Sequence, residues 1–284
     1  MEVTMTSICI ATDLHGDTDR AMARAARLAR IHGARLCVVS VVPDAARDAE
    51  MSARRATLEA LVANLPDSAG LETEIIVASG EPSEQIHHAA LHAKADLMVV
   101  GPHHQAGMLD SLRQTTLEKL VKAAPTPVLL VTDPVDHDYA SVIAPVDFSP
   151  ACAAAVRAAR TFAPAAAIHL LHSVGVPYQT IVAAPGAVGD VSPMADPTPF
   201  IEDAKTRAEA WLAEEPGLLG LTPPVAEPRA LPQLLGTVRA EKGGDLICLG
   251  AHTKQGFLDR LLGSFTAELI RKPPCDLLIA PGAR

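Results

Sequence analysis

The feature that most limits the fold is an internal repeat. The segment SICIATDLHGDTDRAMARAARLA (7–29) is matched by SVIAPVDFSPACAAAVRAARTFA (141–163). Each is a short apolar run ending in Asp, followed by a turn and an Ala/Arg helical stretch. Asp13 aligns with Asp147, an offset of 134 residues. Further on, ADLMVVGPHHQAG (95–107) matches GDLICLGAHTKQG (244–256), and Gly101 aligns with Gly250 at an offset of 149. APTPVLLV (124–131) then matches PPCDLLIA (273–280). A period this long means two copies of one domain and not a solenoid of short units. The offset grows by 15, so an insertion lies inside the second copy. The copies are assigned to 1–134 and 140–284, with DPVDHDY (133–139) as a short linker.

Each copy alternates strand and helix. In the second, a strand ends at Asp147, and Ser149-Pro150 supplies an N-cap and a first-turn proline. AAIHLLHSV (166–174) reads as the next strand. TPFIEDAKTRAEAWLAEE (198–215) reads as a capped helix with Phe200, Ala204, Ala208, Trp211 and Leu212 on one apolar face. TPPVAEP is a proline-rich run suited to a sheet edge, and PQLLGTVRAEKG is a third helix. DLICLG is continuously apolar, as in a parallel strand buried on both faces. A last helix follows from Gly263 and a last strand from Asp276. This order predicts an α/β protein of two repeated doubly wound domains. Each is a five-stranded parallel sheet with helices on both faces, Rossmann-like in layout. The insertion, 175–197, is rich in Pro, Gly and Ala; it reads as a lid, a partner surface or a disordered loop.

Hydrophobic residues make up 49% and charged residues 20% of the 284, a globular composition. Aromatics are only 3%, so the core is expected to be Ala, Val, Leu and Ile. The net charge of −9 argues against nucleic acid, which needs a basic face. The apolar runs are too short to span a bilayer, and the N-terminus reads as a first strand and not a signal peptide. None of the five cysteines forms a C-x-x-C, and three sit in apolar strand-like runs. Buried, reduced thiols in a cytoplasmic protein are expected.

In an open α/β sheet, ligands bind beyond the carboxyl ends of the strands, where strand order reverses. Asp147 and Gly250 end two such strands. The loop after Gly250 adds His252, Lys254, Gly256 and Arg260, and Gly263-Ser264 opens a helix. A helix N-terminus offers free amides and a positive dipole end to an anion, and glycines let backbone approach phosphate. With Asp147 available to a sugar hydroxyl or a base, the set is nucleotide-shaped. The simpler alternatives are that Asp147 caps its own turn and that Lys254 and Arg260 are solvated surface charges.

These residues resemble the universal stress protein family, whose nucleotide-binding members carry G-x-x-G, nine residues, then G-[S/T]. Gly250, Thr253 and Gly263-Ser264 fit every position but one, since Thr253 stands where the second glycine belongs. PVDFSP (145–150) is similar to the family's first-strand signature. The resemblance covers nearly the whole chain, twice, so it implies a tandem member that binds an adenine nucleotide, ATP with Mg, in a stress-response role. In the second copy it implies a site of Asp147, Val174, Gly250, His252, Thr253, Lys254, Gly256, Gly263, Ser264 and Phe265. In the first copy Asp13, Val41 and Gly101 keep their places. There His104 replaces the second glycine and Gln114-Thr115 the Gly-Ser pair, so a degenerate site is expected. The partners implied are a homodimer or an intramolecular pseudo-dimer, and a regulatory protein.

No nucleophile, general base or carboxylate pair is recognisable, so no catalytic residue is assigned and at most weak ATP hydrolysis is expected. A P-loop is absent, and DLHGD and DFSPA lack the pyrophosphate loop of an adenylating enzyme. The alternative is a nucleotide-free interaction module, with PVLLV and DLLIA as pairing edges for a partner. His87, His88, His92, His103 and His104 crowd one part of the first copy. His88 and His92, at i and i+4, have a spacing that suits zinc; ordinary surface histidines are the alternative. His169 and His172 read as core or cleft-edge residues.

Overall fold

A computed structural model describes residues 5–14, 18–102, 110–176, 178–181, 190–193, 196–251 and 263–281. The first half runs β1 (Ser7–Ala11), α1 (Thr18–His32), β2 (Arg35–Val42), α2 (Asp48–Asn64), β3 (Thr73–Ser79), α3 (Pro82–His92), β4 (Leu97–Val100), α4 (Asp110–Ala123) and β5 (Val128–Leu130). The second runs β6 (Ser141–Pro145), α5 (Pro150–Phe162), β7 (Ala167–Ser173), β8 (Tyr178–Ile181), β9 (Asp190–Pro193), α6 (Thr198–Glu214), β10 (Val225–Glu227), α7 (Leu231–Lys242), β11 (Leu246–Ala251), α8 (Ser264–Arg271) and β12 (Asp276–Pro281).

Ten of the strands form one sheet in the order β10-β7-β6-β11-β12-β5-β4-β1-β2-β3. Inside each half every pairing within this sheet is parallel, and the order is third, second, first, fourth, fifth. The halves meet where β5 and β12 pair antiparallel, with Val128, Leu129 and Leu130 opposite Ile279, Leu278 and Leu277. The two expected five-stranded sheets are therefore one continuous sheet of ten, and the chain is its own pseudo-dimer. The two last strands, read from sequence as edges for a partner, cover each other. The open edges of this sheet are β3 and β10.

Strand residues alternate between two core layers, which explains why runs such as DLICLG are apolar throughout. Ile8, Ile10, Leu97 and Val142 join the layer under α1, α2, α5 and α6. Cys9, Met98, Ile143 and Ile247 join the layer under α3, α4, α7 and α8. Both layers run across the two halves. The helices approach closely because their inner faces are alanine, such as Ala21, Ala25 and Ala29 on α1 and Ala151, Ala155 and Ala159 on α5. Trp211, expected in the core from its helical face, is 6% exposed. All five cysteines are buried and free.

Local signals were realised unevenly. Ser149 caps α5 by accepting from the Cys152 amide, with Pro150 in the first turn. The cap on α6 differs: Pro197 holds the N-cap position, and Asp196 accepts from the amide (3.0 Å) and hydroxyl (2.7 Å) of Thr198 instead. In the insertion, β8 and β9 pair antiparallel, from Tyr178 opposite Pro193 to Ile181 opposite Asp190. A hairpin therefore occupies part of what read as loop, and the rest of 175–197 lies largely outside the described residues.

Two aspartates tie the amino end of each half together. Asp96 accepts from the amides of Thr6 and Ser7, and Asp245 from those of Ala140 and Ser141. A third has no counterpart. Asp276, 0% exposed, accepts from the amides of Thr132 (2.7 Å) and Asp133 (3.0 Å) and from the Tyr139 hydroxyl (2.5 Å). The Arg24 guanidinium lies 3.7 Å away and stacks 4.2 Å over the Tyr139 ring. Arg24 also donates to the His137 carbonyl and Arg20 to that of Thr132, so α1 and β12 together clamp the linker. Burial, and then the Asp276 charge, push the Tyr139 hydroxyl well above its ordinary pKa, so it stays a donor. A buried carboxylate is tolerated only when so fully partnered.

Asp276→Asn removes the charge facing Arg24 and replaces an acceptor oxygen with a donor. It should cost about 3–5 kcal/mol, read as a fall in Tm or in the denaturant midpoint. Tyr139→Phe should cost less, about 1–2 kcal/mol, because one hydrogen bond is lost.

Candidate functional site

β6 lies between β7 and β11, and strand order reverses there, since β7 and β10 lie to one side and β11 and β12 to the other. The crevice at the carboxyl ends of these strands is where an open α/β sheet binds ligands. The structure brings Asp147, Val174 and Gly250 together there, at the ends of three neighbouring strands. Because β11 and β12 are parallel, α8 starts at this same end, so Gly263 and Ser264 also belong to it.

The step after Asp147 is left-handed: Phe148 has φ +66°, and Leu14, its counterpart after Asp13, has φ +65°. Bulky residues rarely adopt this conformation, and such strain concentrates at functional sites. Nothing in DLH or DFS announces it to a reader of sequence; the signal is its repetition at equivalent positions. The Phe148 ring packs at a tilt against His172 at 4.5 Å and against Trp211 at 5.8 Å, with the Arg207 guanidinium 5.3 Å from its centre. His172 donates through Nδ1 to the Val146 carbonyl, 2.7 Å. These packing contacts hold the turn that carries Asp147.

Asp147 is exposed, and one of its oxygens caps its own turn, accepting from the Ser149 amide at 3.0 Å. The same oxygen accepts from the Cys152 thiol at 3.0 Å. Burial, helped by the neighbouring carboxylate, pushes the Cys152 thiol up to about 12, so it remains a donor. Sequence reading found the turn cap and missed the thiol, which sits one helical turn along on α5.

The two glycines of the motif differ in kind. A Cβ on Gly250 would lie 2.6 Å from the Ala151 carbonyl carbon and oxygen and 2.8 Å from the Cys152 amide nitrogen. Gly250 is therefore required by the close approach of α5 to β11. Among the described residues Gly263 has no heavy atom within 4 Å of such a Cβ; it is exposed, and as the N-cap it offers α8 no capping side chain. Its surroundings suit a ligand that approaches the helix amides. Phe265 has a different setting: its ring packs against the α7–α8 core layer and lines a cleft of about 620 Å³ with Leu235, Gly236, Arg239 and Leu269. His252, Thr253, Lys254, Gly256 and Arg260 lie outside the described residues.

In the first half, Asp13 follows β1, Val41 lies near the end of β2 and Gly101 follows β4, repeating the geometry. Here Arg54 of α2 donates to the Asp13 carbonyl at 3.1 Å. His103 and His104 lie outside the described residues, as does the side chain of Thr115. Of the remaining histidines, His87 and His88 meet edge-on with ring centroids 6.2 Å apart. His92 meets Glu74 at 3.1 Å. His87 turns a buried Nδ1 inward without a partner, and burial lowers its pKa. Among the described residues no group of three or more His, Cys, Asp or Glu side chains is arranged to hold a metal ion. No helix among them is long and apolar enough to cross a membrane.

The two glycines separate in a stability measurement. Gly250→Ala should cost about 1–3 kcal/mol through overpacking against α5. Gly263→Ala should cost less than about 1 kcal/mol, read as a smaller shift of the denaturant midpoint.

Known proteins share both the sequence pattern and this layout. A curated universal stress protein of Thermus aquaticus, from the QAH/OAS sulfhydrylase 3′ region, is 33% identical over 133 residues, covering 44% of this chain and 97% of that protein. A universal stress protein from Archaeoglobus fulgidus superimposes on 99% of this chain and 100% of its own, with a TM-score of 0.69 at 16% identity. Another from Archaeoglobus fulgidus, solved in complex with dAMP, aligns with 45% of this chain and 98% of its own, at 22% identity and a TM-score of 0.37. The sequence model of the universal stress protein family matches residues 5–132 and again 138–281. The chain belongs to the universal stress protein family and carries two of its domains in tandem.

Proposed function

We propose that the second half binds an adenine nucleotide, ATP with Mg, and that this binding regulates what the protein contacts in a stress response. The observation that carries the reading is that an exposed carboxylate, Asp147, and the glycine-led start of α8 lie at the same end of the sheet, at a strand-order reversal. The residues present fit such a ligand: among the described residues Gly263 has open space around it, and as the N-cap it brings no side chain to the first amides of α8. Those amides would take a phosphate oxygen. Asp147 would accept from a sugar hydroxyl or a base amine, with Val174 beside it at the end of β7. The first half, with Arg54 on the Asp13 carbonyl, is the degenerate partner in this reading. The role is binding, with hydrolysis at most slow and incidental.

The test is calorimetric titration with Mg-ATP. Wild type should bind at one site. Asp147→Ala should weaken binding about tenfold or more, the loss of a charge-assisted hydrogen bond, and Gly263→Val should abolish it. Trp211, the single tryptophan, stands 5.8 Å from Phe148, so its fluorescence should report the same saturation curve. Unchanged affinity in both variants, or no binding by wild type, would overturn the reading.

A further inference from the structure

Four strands of the first half place an unusual row of side chains side by side. Met98 on β4 is opposite Cys9 on β1, Cys9 is opposite Cys37 on β2, and Cys37 is opposite Glu74 on β3. Register partners in a parallel sheet project to the same face. Accordingly Met98, Cys9 and Cys37 lie together in the core layer under α3, at 0%, 0% and 1% exposure. The second half is an internal control. Its matching row is Ile247, Ile143 and His169, with no sulfur in it. The fold itself therefore does not ask for thiols there.

We infer that Cys9 and Cys37 form a buried two-thiolate site for a soft monovalent cation of the Cu(I) class, with the Met98 thioether beside it. Geometry and ligand type both favour this. Neighbouring strands are ~4.8 Å apart, and two thiolates on opposite sides of a metal, at ~2.3 Å each, stand ~4.6 Å apart. Thiolate and thioether select Cu(I) over harder ions. Zinc asks for four ligands, and no third His, Cys, Asp or Glu among the described residues joins the pair.

Binding would release two protons, one from each thiol, and leave one buried negative charge on the complex. The row reaches the surface at the edge strand β3. There Glu74 is half-buried and meets His92 from the last turn of α3, which gives an ion a short path from the sheet edge.

The test uses the full chain, reduced and anaerobic, titrated with Cu(I) against bathocuproine disulfonate and then desalted. Wild type and Cys275→Ala should each retain about one copper per chain. Cys9→Ala and Cys37→Ala should each retain at least tenfold less, with circular dichroism confirming that they fold. Cys9→Ile, which installs the second half's residue, guards against loss by misfolding. Copper K-edge absorption on wild type is independent of any variant: two or three sulfur neighbours are expected. Equal retention in the Cys9 and Cys37 variants, no retention by wild type, or a shell of nitrogen and oxygen would each overturn the assignment.

Discussion

The structure depends on one seam. β5 and β12 pair antiparallel through three apolar residue pairs, and this short ladder turns two half-sheets into one. A three-residue strand is a weak joint alone, since few hydrogen bonds cross it. Asp276 strengthens it from beneath, because one buried carboxylate takes the amides on leaving β5, the linker tyrosine and an arginine of α1. The core layers then run through the seam on both faces. The repeats are thus halves of one folding unit as much as two domains. An open strand edge at this place would invite a second chain; fusing two copies in one chain lets each half cover the other's edge.

The seam also fixes how the two candidate sites relate. Each half ends its first strand in Asp and then takes a left-handed step, at Leu14 and at Phe148. The backbone geometry is duplicated while the side chains around it are not. In the second half the step is packed by His172 and Trp211, the carboxylate is held by a thiol, and the start of α8 is open. In the first half an arginine occupies the Asp13 carbonyl. The same division recurs deeper in the sheet, where the first half alone carries the sulfur row.

Much of this was legible in the sequence because it rests on periodicity. The repeat offsets located the insertion, the continuous apolar runs marked strands buried on both faces, and the spacing from Ala204 to Leu212 put Trp211 inside. What was not legible rests on distances between residues remote in sequence. Asp276 read only as the start of a strand, because its partners lie 137 residues away or more, as with Tyr139 at 137 and Thr132 at 144. Gly250 read as a ligand glycine, and only the approach of α5 shows that packing already demands it. Phe265 follows Gly263-Ser264 in sequence, yet the helical turn carries its ring into the α7–α8 cleft. The left-handed residues carry no compositional mark at all, being Leu and Phe.

The central claim is that the second half, and not the first, holds an adenine nucleotide. The most direct measurement is to purify the chain without added nucleotide, denature it, and analyse the released small molecules by chromatography and mass spectrometry. The account predicts an adenine nucleotide approaching one per chain, lost in Gly263→Val and retained in Asp13→Ala. Loss in Asp13→Ala with retention in Gly263→Val would place the ligand in the wrong half. No adenine nucleotide from wild type, together with no uptake of added ATP, would contradict the claim outright.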